Sequence, residues 1–336
     1  MPDPLIVYCY RQISDADVFC DLLKLRFRET GHEREIEFRL WDCYKKEPGR
    51  DGDIYIYDGM VLSALADKDY IRRLPDIIDT SGIFEWVLNG SKVRKKTYGI
   101  PFMLCANVLI CRKDENAPVR DLNRGEIAAP MKSMVGEYYV FSYFNSPDKG
   151  EGSLRTLRHL KDLIGGIEMY ERSRFVEYDG VERFNRGDCK YLLGFTEDLR
   201  FLPSDEYKVR SANISDSLRV ELPLNYVNYI SVGSRVSGER LLDCLDMIEI
   251  ITSADFFRDY CTAEGQIRYI LPANENFYAG LAEFDDVYRQ LYDIVRNEYN
   301  CVLRYGKDFY EEFPRKSAEL RELLAEKKDE TGKITI

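Results

Sequence analysis

The sequence predicts an α/β protein of two lobes with a central cleft, and three observations carry the prediction. Its opening alternates strand-like and helix-like periods, its strand candidates end on acids and tyrosines, and a long apolar run follows a Gly-Ile-Pro turn. At 336 residues the chain exceeds one small core and suits two lobes of ordinary domain size. Residues 1–104 and 226–336 are expected to form a discontinuous first lobe, and residues 105–225 the second.

Each element has its own reason. Leu5 to Tyr10 is a short apolar run that reads as a strand. Asp15 to Phe27 carries apolar residues at helical spacing, and Ser14 before it offers a capping hydroxyl. Glu35 to Trp41 alternates polar and apolar, as a half-buried strand does. Gly49 to Asp53 is a turn, and Ile54 to Tyr57 is a further strand ending at Asp58. Acids at strand ends suit a sheet that binds ligands at its carboxyl edge. Helical material follows to about Leu88. The segment Lys95 to Lys113 then combines the turn with the long apolar run, which is expected to carry the chain into the second lobe. The chain should return near Glu221 to Val232, and the helix-patterned stretches Glu239 to Phe257 and Phe284 to Tyr299 should cover the first lobe. The polar tail after Glu326 reads as frayed.

Composition narrows the function. With 45% hydrophobic and 32% charged residues the chain is globular. A formal charge of -11 without a basic stripe disfavours nucleic acid and anionic membrane as partners. No segment reaches the roughly eighteen apolar residues that cross a bilayer. The start shows no leader pattern, so the chain as written is expected in the cytoplasm, or secreted with its leader absent from this sequence. The nine cysteines are scattered without a CxxC pair, and the only histidines are His32 and His159. Neither a metal site nor a cofactor is expected from such a set. The expected partner is a small molecule bound by a monomer.

Candidate site residues emerge from position. Tyr10, Tyr44, Tyr178 and Tyr226 sit where strands end. Packing accounts for each singly, whereas together they offer aromatic walls and hydroxyls to a flat polar ring. Cys105 follows the proposed hinge turn. A free cysteine by itself behaves as a small core hydrophobe, and a nucleophilic one needs a neighbouring base and some solvent access. With so little histidine the base must be a carboxylate. Glu197 stands at a strand-to-helix turn after the apolar run Tyr191 to Phe195. Acids belong in a helix's first turn for the dipole alone, so a role as base requires burial that lifts its pKa above about 4.3.

Short blocks spread over most of the chain resemble thiaminase I (thiamine pyridinylase). These blocks are Tyr8-Cys9-Tyr10, Trp41-Asp42-Cys43-Tyr44, Asp53 to Asp58, Tyr98 to Lys113 with Leu104-Cys105-Ala106-Asn107 inside it, Gly194-Phe195-Thr196-Glu197 with Tyr178 upstream, and Tyr269 to Ala273. No single block is specific, but their order and spacing are. The resemblance implies a periplasmic-binding-protein type II fold and a base-exchange transferase. A cysteine adds to the pyrimidine ring of thiamin or a related heteroaromatic, the thiazole leaves, and an external nucleophile takes the pyrimidine. Carried over, Cys105 is the nucleophile and Glu197 its base, with Tyr10, Tyr44, Asp58, Tyr178, Phe195, Tyr226 and Asn228 at the substrate. Two positions depart from the family pattern: Asn228 stands for an acid and Phe195 for a tyrosine. A non-catalytic solute-binding protein for thiamin or a pyrimidine-like ligand is the alternative, and it predicts that Cys105 and Glu197 are dispensable for binding.

Overall fold

The structure is a computed structural model that describes residues 2–116, 126–128, 179–203, 206–211, 225–281, 285–298, 300 and 302–324. The chain divides into two units. The first comprises Met1–Asn107, Phe195–Arg200 and Leu222–Tyr310, and the second Val108–Gly194, Phe201–Glu221 and Glu311–Ile336. Residues 195–200, expected with the second lobe, group with the first because Glu197 and Arg200 bond to Cys105 and Asp15 there. Residues 311–324, expected with the first lobe, group with the second.

The first unit begins with β1 (Leu5–Tyr10), α1 (Ala16–Glu29), β2 (Ile36–Trp41) and β3 (Ile54–Asp58). Both β2 and β3 pair parallel with β1. The five residues of β3 are all buried, as in a central strand covered on both faces. By contrast, β2 mixes exposed and half-buried positions and ends on buried Trp41, as an edge strand does. The helix α1 starts one residue after the sequence suggests, and Ser14 does not cap it. Asp15 occupies the N-cap position in a left-handed conformation (φ 45°) with no capping bond, while the Ser14 carbonyl accepts the Tyr260 hydroxyl.

Beyond β3 the chain forms α2 (Leu62–Asp67), α3 (Glu85–Gly90) and the small ribbon β4 (Lys92–Val93) with β5 (Lys96–Thr97). It then enters β6 (Ile100–Arg112), whose course crosses the division between the units after Asn107. Gly99, just before β6, is required by close approach: a Cβ there would stand 2.7 Å from Ser231 Oγ and 3.0 Å from the Tyr57 hydroxyl.

In the second unit the far part of β6 pairs antiparallel with a later strand, and β7 (Ile127–Ala128) is followed by α4 (Asp179–Arg186) and β8 (Tyr191–Phe195), which lies parallel to β7. The partner of β6 there is β9 (Tyr207–Ser211). Back in the first unit, β10 (Asn225–Val232) lies antiparallel between β3 and β6. Its eight residues are buried throughout. Then come α5 (Glu239–Thr252), α6 (Ala254–Thr262), β11 (Leu271–Pro272), α7 (Tyr278–Leu281) and α8 (Asp286–Val295), while α9 (Phe309–Leu324) belongs to the second unit from Glu311 on. The short β11 pairs with β6 at Leu104 and Met103. Of the aromatic side chains of α6, Phe256 and Tyr260 meet Phe19 of α1 edge-on, and Phe257 packs at a tilt against Phe102 of β6. No helix among the described residues is long and apolar enough to cross a membrane.

Candidate active site

Of the thirteen residues of β6, only Cys105 and the terminal Arg112 are not buried. The same half-buried state sets Cys105 apart from the other described cysteines, Cys9, Cys20, Cys43, Cys111, Cys189, Cys244 and Cys261, all of which are buried. A strand sealed along its length thus opens at one thiol. The Cys105 Sγ donates to Glu197 Oε2 at 3.4 Å, across 92 positions of sequence. Across the strand pair, Tyr226 of β10 is the register partner of Cys105, and Asn228 is the partner of both Met103 on β6 and Asp58 on β3. Directly opposed residues share a face, and alternate residues of one strand do too. Cys105, Tyr226, Asn228 and Asp58 therefore lie on one face of the first unit's sheet.

Glu197 enters on a tight turn. β8 ends at Phe195, and a 3₁₀ segment, Thr196–Phe201, follows at once. The Asp198 carboxylate closes this turn by accepting the Phe195 backbone N–H at 2.8 Å, and the Thr196 hydroxyl donates to Glu197 Oε2 at 3.3 Å. Burial raises the Glu197 carboxyl above its ordinary range; its own backbone N–H, Cys105, Thr196 and the charge of Arg200 oppose that rise without cancelling it. Burial also drives the Cys105 thiol well above the ordinary thiol range, and the Glu197, Asp58 and Asp198 carboxylates push the same way. The resting pair is a neutral thiol hydrogen-bonded to a carboxylate whose proton affinity has been lifted toward it.

At the carboxyl end of β3, Asp58 is 4% exposed and accepts the Met60 backbone N–H at 2.8 Å. Burial pushes its pKa up to about 6, although that N–H and a hydrogen bond from Tyr44 work against the shift. Tyr10 and Tyr44 are both buried. Burial, together with the nearby Asp58, Cys43 and Cys105, drives the Tyr10 phenol well above its usual range. Tyr226 is buried and meets Phe195 edge-on, with ring centroids 5.9 Å apart. Asn228 is 2% exposed.

The structure therefore gathers Cys105, Glu197, Asp58, Tyr10, Tyr44, Phe195, Tyr226 and Asn228 within the first unit, while Tyr178 lies outside the described residues. Sequence reasoning missed Thr196 and Asp198, which shape the turn that presents Glu197. An acid that reaches back to a backbone N–H three residues earlier is a recognisable turn device, and that signal was available. Among the described residues no group of three or more histidine, cysteine, aspartate or glutamate side chains could hold a metal ion.

A maltose-bound MalE3 from T. maritima superposes with a TM-score of 0.72 at 13% identity, covering 96% of this chain and 94% of that one. The class is the two-lobed, periplasmic-binding-protein-like fold, here fitted with a thiol–carboxylate pair that solute capture does not require. Clostridium botulinum thiaminase I, solved in complex with thiamin, superposes with a TM-score of 0.82 at 17% identity over 96% of this chain and 100% of that one. Thiaminase-1 of Paenibacillus thiaminolyticus is 26% identical over 319 residues, 82% of this chain and 76% of that protein. No family model matches the sequence. The chain is thus similar to thiaminase I proteins in sequence and in fold.

Proposed function

We propose that this protein is a thiamine pyridinylase-like transferase, with thiamin or a related heteroaromatic as its substrate and a nucleophilic small molecule as co-substrate. The observation that carries the proposal is the 3.4 Å contact between Cys105 Sγ and Glu197 Oε2 at the one half-buried position inside an otherwise buried strand, whose only other such residue is the terminal Arg112. Thiamin is bound in the Clostridium botulinum thiaminase I complex, which supports the same ligand class here.

In the first step Cys105 Sγ bonds to an electron-poor carbon of the pyrimidine ring while its proton passes to Glu197. The bond to the thiazolium nitrogen then breaks, and the thiazole departs neutral with that electron pair. In the second step an amine or thiol attacks the pyrimidine-bearing fragment, the sulfur is expelled and recovers its proton from Glu197, and the co-substrate's proton goes to solvent. Raising a carboxyl toward the working pH is how a glutamate becomes a competent base. Tyr226 and Phe195 offer ring faces beside the sulfur, and Asp58 and Asn228 offer polar partners to an aminopyrimidine on the same sheet face.

The test is incubation with thiamin and an amine, read by mass spectrometry. Exchanged pyrimidine or a covalent adduct on Cys105 is expected, and both should vanish in Cys105→Ser. Product that persists in Cys105→Ser would refute the mechanism. Binding of thiamin with neither product nor adduct would favour the solute-binding alternative.

A further inference from the structure

Arg268 is 1% exposed and belongs to no helix or strand. Its guanidinium nevertheless joins four partners. The Nε donates to Asp15 Oδ2 at 2.6 Å, one terminal nitrogen donates to the Ala263 carbonyl and to the Gln266 carbonyl at 3.4 Å, and the other donates to Glu264 Oε2 at 2.9 Å. The same Asp15 Oδ2 accepts Arg200 at 2.7 Å. Asp15 can face both guanidinium groups because its backbone takes the left-handed conformation and its side chain is released from capping α1.

The two ends of this chain of contacts reach the two reacting groups. Arg200 stands three residues after Glu197 on the 3₁₀ segment Thr196–Phe201. Side chains at i and i+3 of a 3₁₀ turn eclipse, so fixing Arg200 fixes the rotation of Glu197 about that segment. At the other end, Arg268 holds the loop over Ala263 to Gln266, in which Glu264 and Gly265 have positive φ of 58° and 71°. That loop leads within a few residues into β11, whose Leu271 and Pro272 pair with Leu104 and Met103, immediately before Cys105 on β6.

Resting on the functional reading above, we infer that the Arg268–Asp15–Arg200 chain is a positioning device that sets the Glu197 carboxylate against the Cys105 sulfur. None of the three touches the sulfur. Asp15 and Arg268 act through the turn and the strand that carry the reacting groups, and Arg200 acts through the turn and also by its charge on the Glu197 carboxyl. The geometry demands this kind of bracing, because a misplacement of about 1 Å in a proton-transfer pair can cost a hundredfold in rate. A guanidinium suits the junction, since its planar fork satisfies several fixed acceptors at once.

The test uses Arg200→Gln, which cuts the link at its more exposed end and leaves the buried contacts of Arg268 intact, and Asp15→Asn, which tolerates the left-handed backbone. Alkylation of Cys105 by iodoacetamide at pH 7, quantified by peptide mass spectrometry, reports the pair without any assumption about substrate. Each variant should slow it tenfold or more with little change in melting temperature. The double variant should be no slower than the worse single one, because both remove the same link. Arg200→Lys should restore most of the rate, since one charged donor suffices at that contact. With thiamin and an amine, kcat should fall while KM holds within about twofold. Alkylation within twofold of wild type in both variants, or additive losses in the double, would overturn the inference. Absence of thiamin turnover in wild type, with the alkylation pattern as expected, would instead count against the substrate reading alone.

Discussion

Glu197→Gln keeps the shape of the side chain and removes both its charge and its ability to take a proton, and the two losses act in opposite directions. The carboxylate lies 3.4 Å from the sulfur. At an effective dielectric of about 20, a thiolate formed there is opposed by roughly 5 kcal/mol. Removing the charge therefore makes the free thiolate easier to form. Removing the acceptor forfeits general-base assistance, typically about 10²–10⁴ in rate, or roughly 3–5 kcal/mol. Turnover at neutral pH, where the thiol of the wild type is far from ionised, should follow the second loss and fall about 10²–10⁴-fold. The pH profile separates the effects. Wild-type alkylation of Cys105 should approach a plateau once Glu197 is ionised, because the carboxylate carries the proton away. In Glu197→Gln it should rise about tenfold per pH unit between pH 7 and 9, as a thiolate-only route requires. The assay is peptide-resolved iodoacetamide labelling across that range beside steady-state turnover. Parallel profiles for the two proteins, or turnover within threefold of wild type, would refute the role of Glu197 as base.

Asp58→Asn should stabilise the protein at neutral pH. A carboxyl whose folded pKa is about 6 rather than 3.8 binds more protons folded than unfolded between those values. Stability therefore falls as pH rises from about 4 to 6, by up to about 3 kcal/mol. Urea midpoints should show that slope in wild type and lose it in Asp58→Asn; an unchanged slope would assign it to another group. Asn228→Asp places a second carboxylate in register with Asp58. In a Cys105→Ser background, calorimetry should find thiamin bound about ten- to a hundredfold tighter, the difference between a charged and a neutral hydrogen bond, while the protein without ligand melts at a lower temperature at pH 7.5. Gly99→Ala should cost about 1–3 kcal/mol of unfolding free energy, since the new methyl meets the Ser231 hydroxyl and the Tyr57 hydroxyl, which bond each other at 2.5 Å.

Elements with strong periodicity were readable from sequence. The apolar run Leu5 to Tyr10 is β1, and Ile54 to Asp58 is a strand that ends on its acid as expected. Cys105 and Glu197 were nameable because neighbouring residue types carried a family pattern, but spacing alone could not bring them together. Only the passage of β8 into the Thr196–Phe201 turn does that. The cap at Ser14 was misread because capping is a local rule, and here a tertiary contact overrides it: Asp15 is drawn out to two arginines and Tyr260 takes the Ser14 carbonyl. Arg268 left no trace at all. A single arginine in a loop has no period, and its partners are close only in the fold.

The charges around the sulfur point to a condition for its activation. Glu197, Asp58 and Asp198 all oppose a free thiolate at Cys105, so the sulfur reacts as its proton passes to Glu197 rather than from a standing thiolate. A ligand with a permanent positive charge changes this balance. A cation about 5 Å from the sulfur, at an effective dielectric of about 20, favours the thiolate by roughly 3 kcal/mol, or about a hundredfold in its population. The thiazolium of thiamin would bring such a charge to an acid-lined face and remove it on leaving as neutral thiazole. On the proposed reaction, then, the substrate itself supplies part of the ionisation that attack requires, and the departing thiazole withdraws it. A bound neutral ring of the same shape should leave the thiolate population of Cys105 unchanged, whereas a bound thiazolium should raise it about a hundredfold, read by thiolate absorbance in the ultraviolet; equal populations would refute activation by charge.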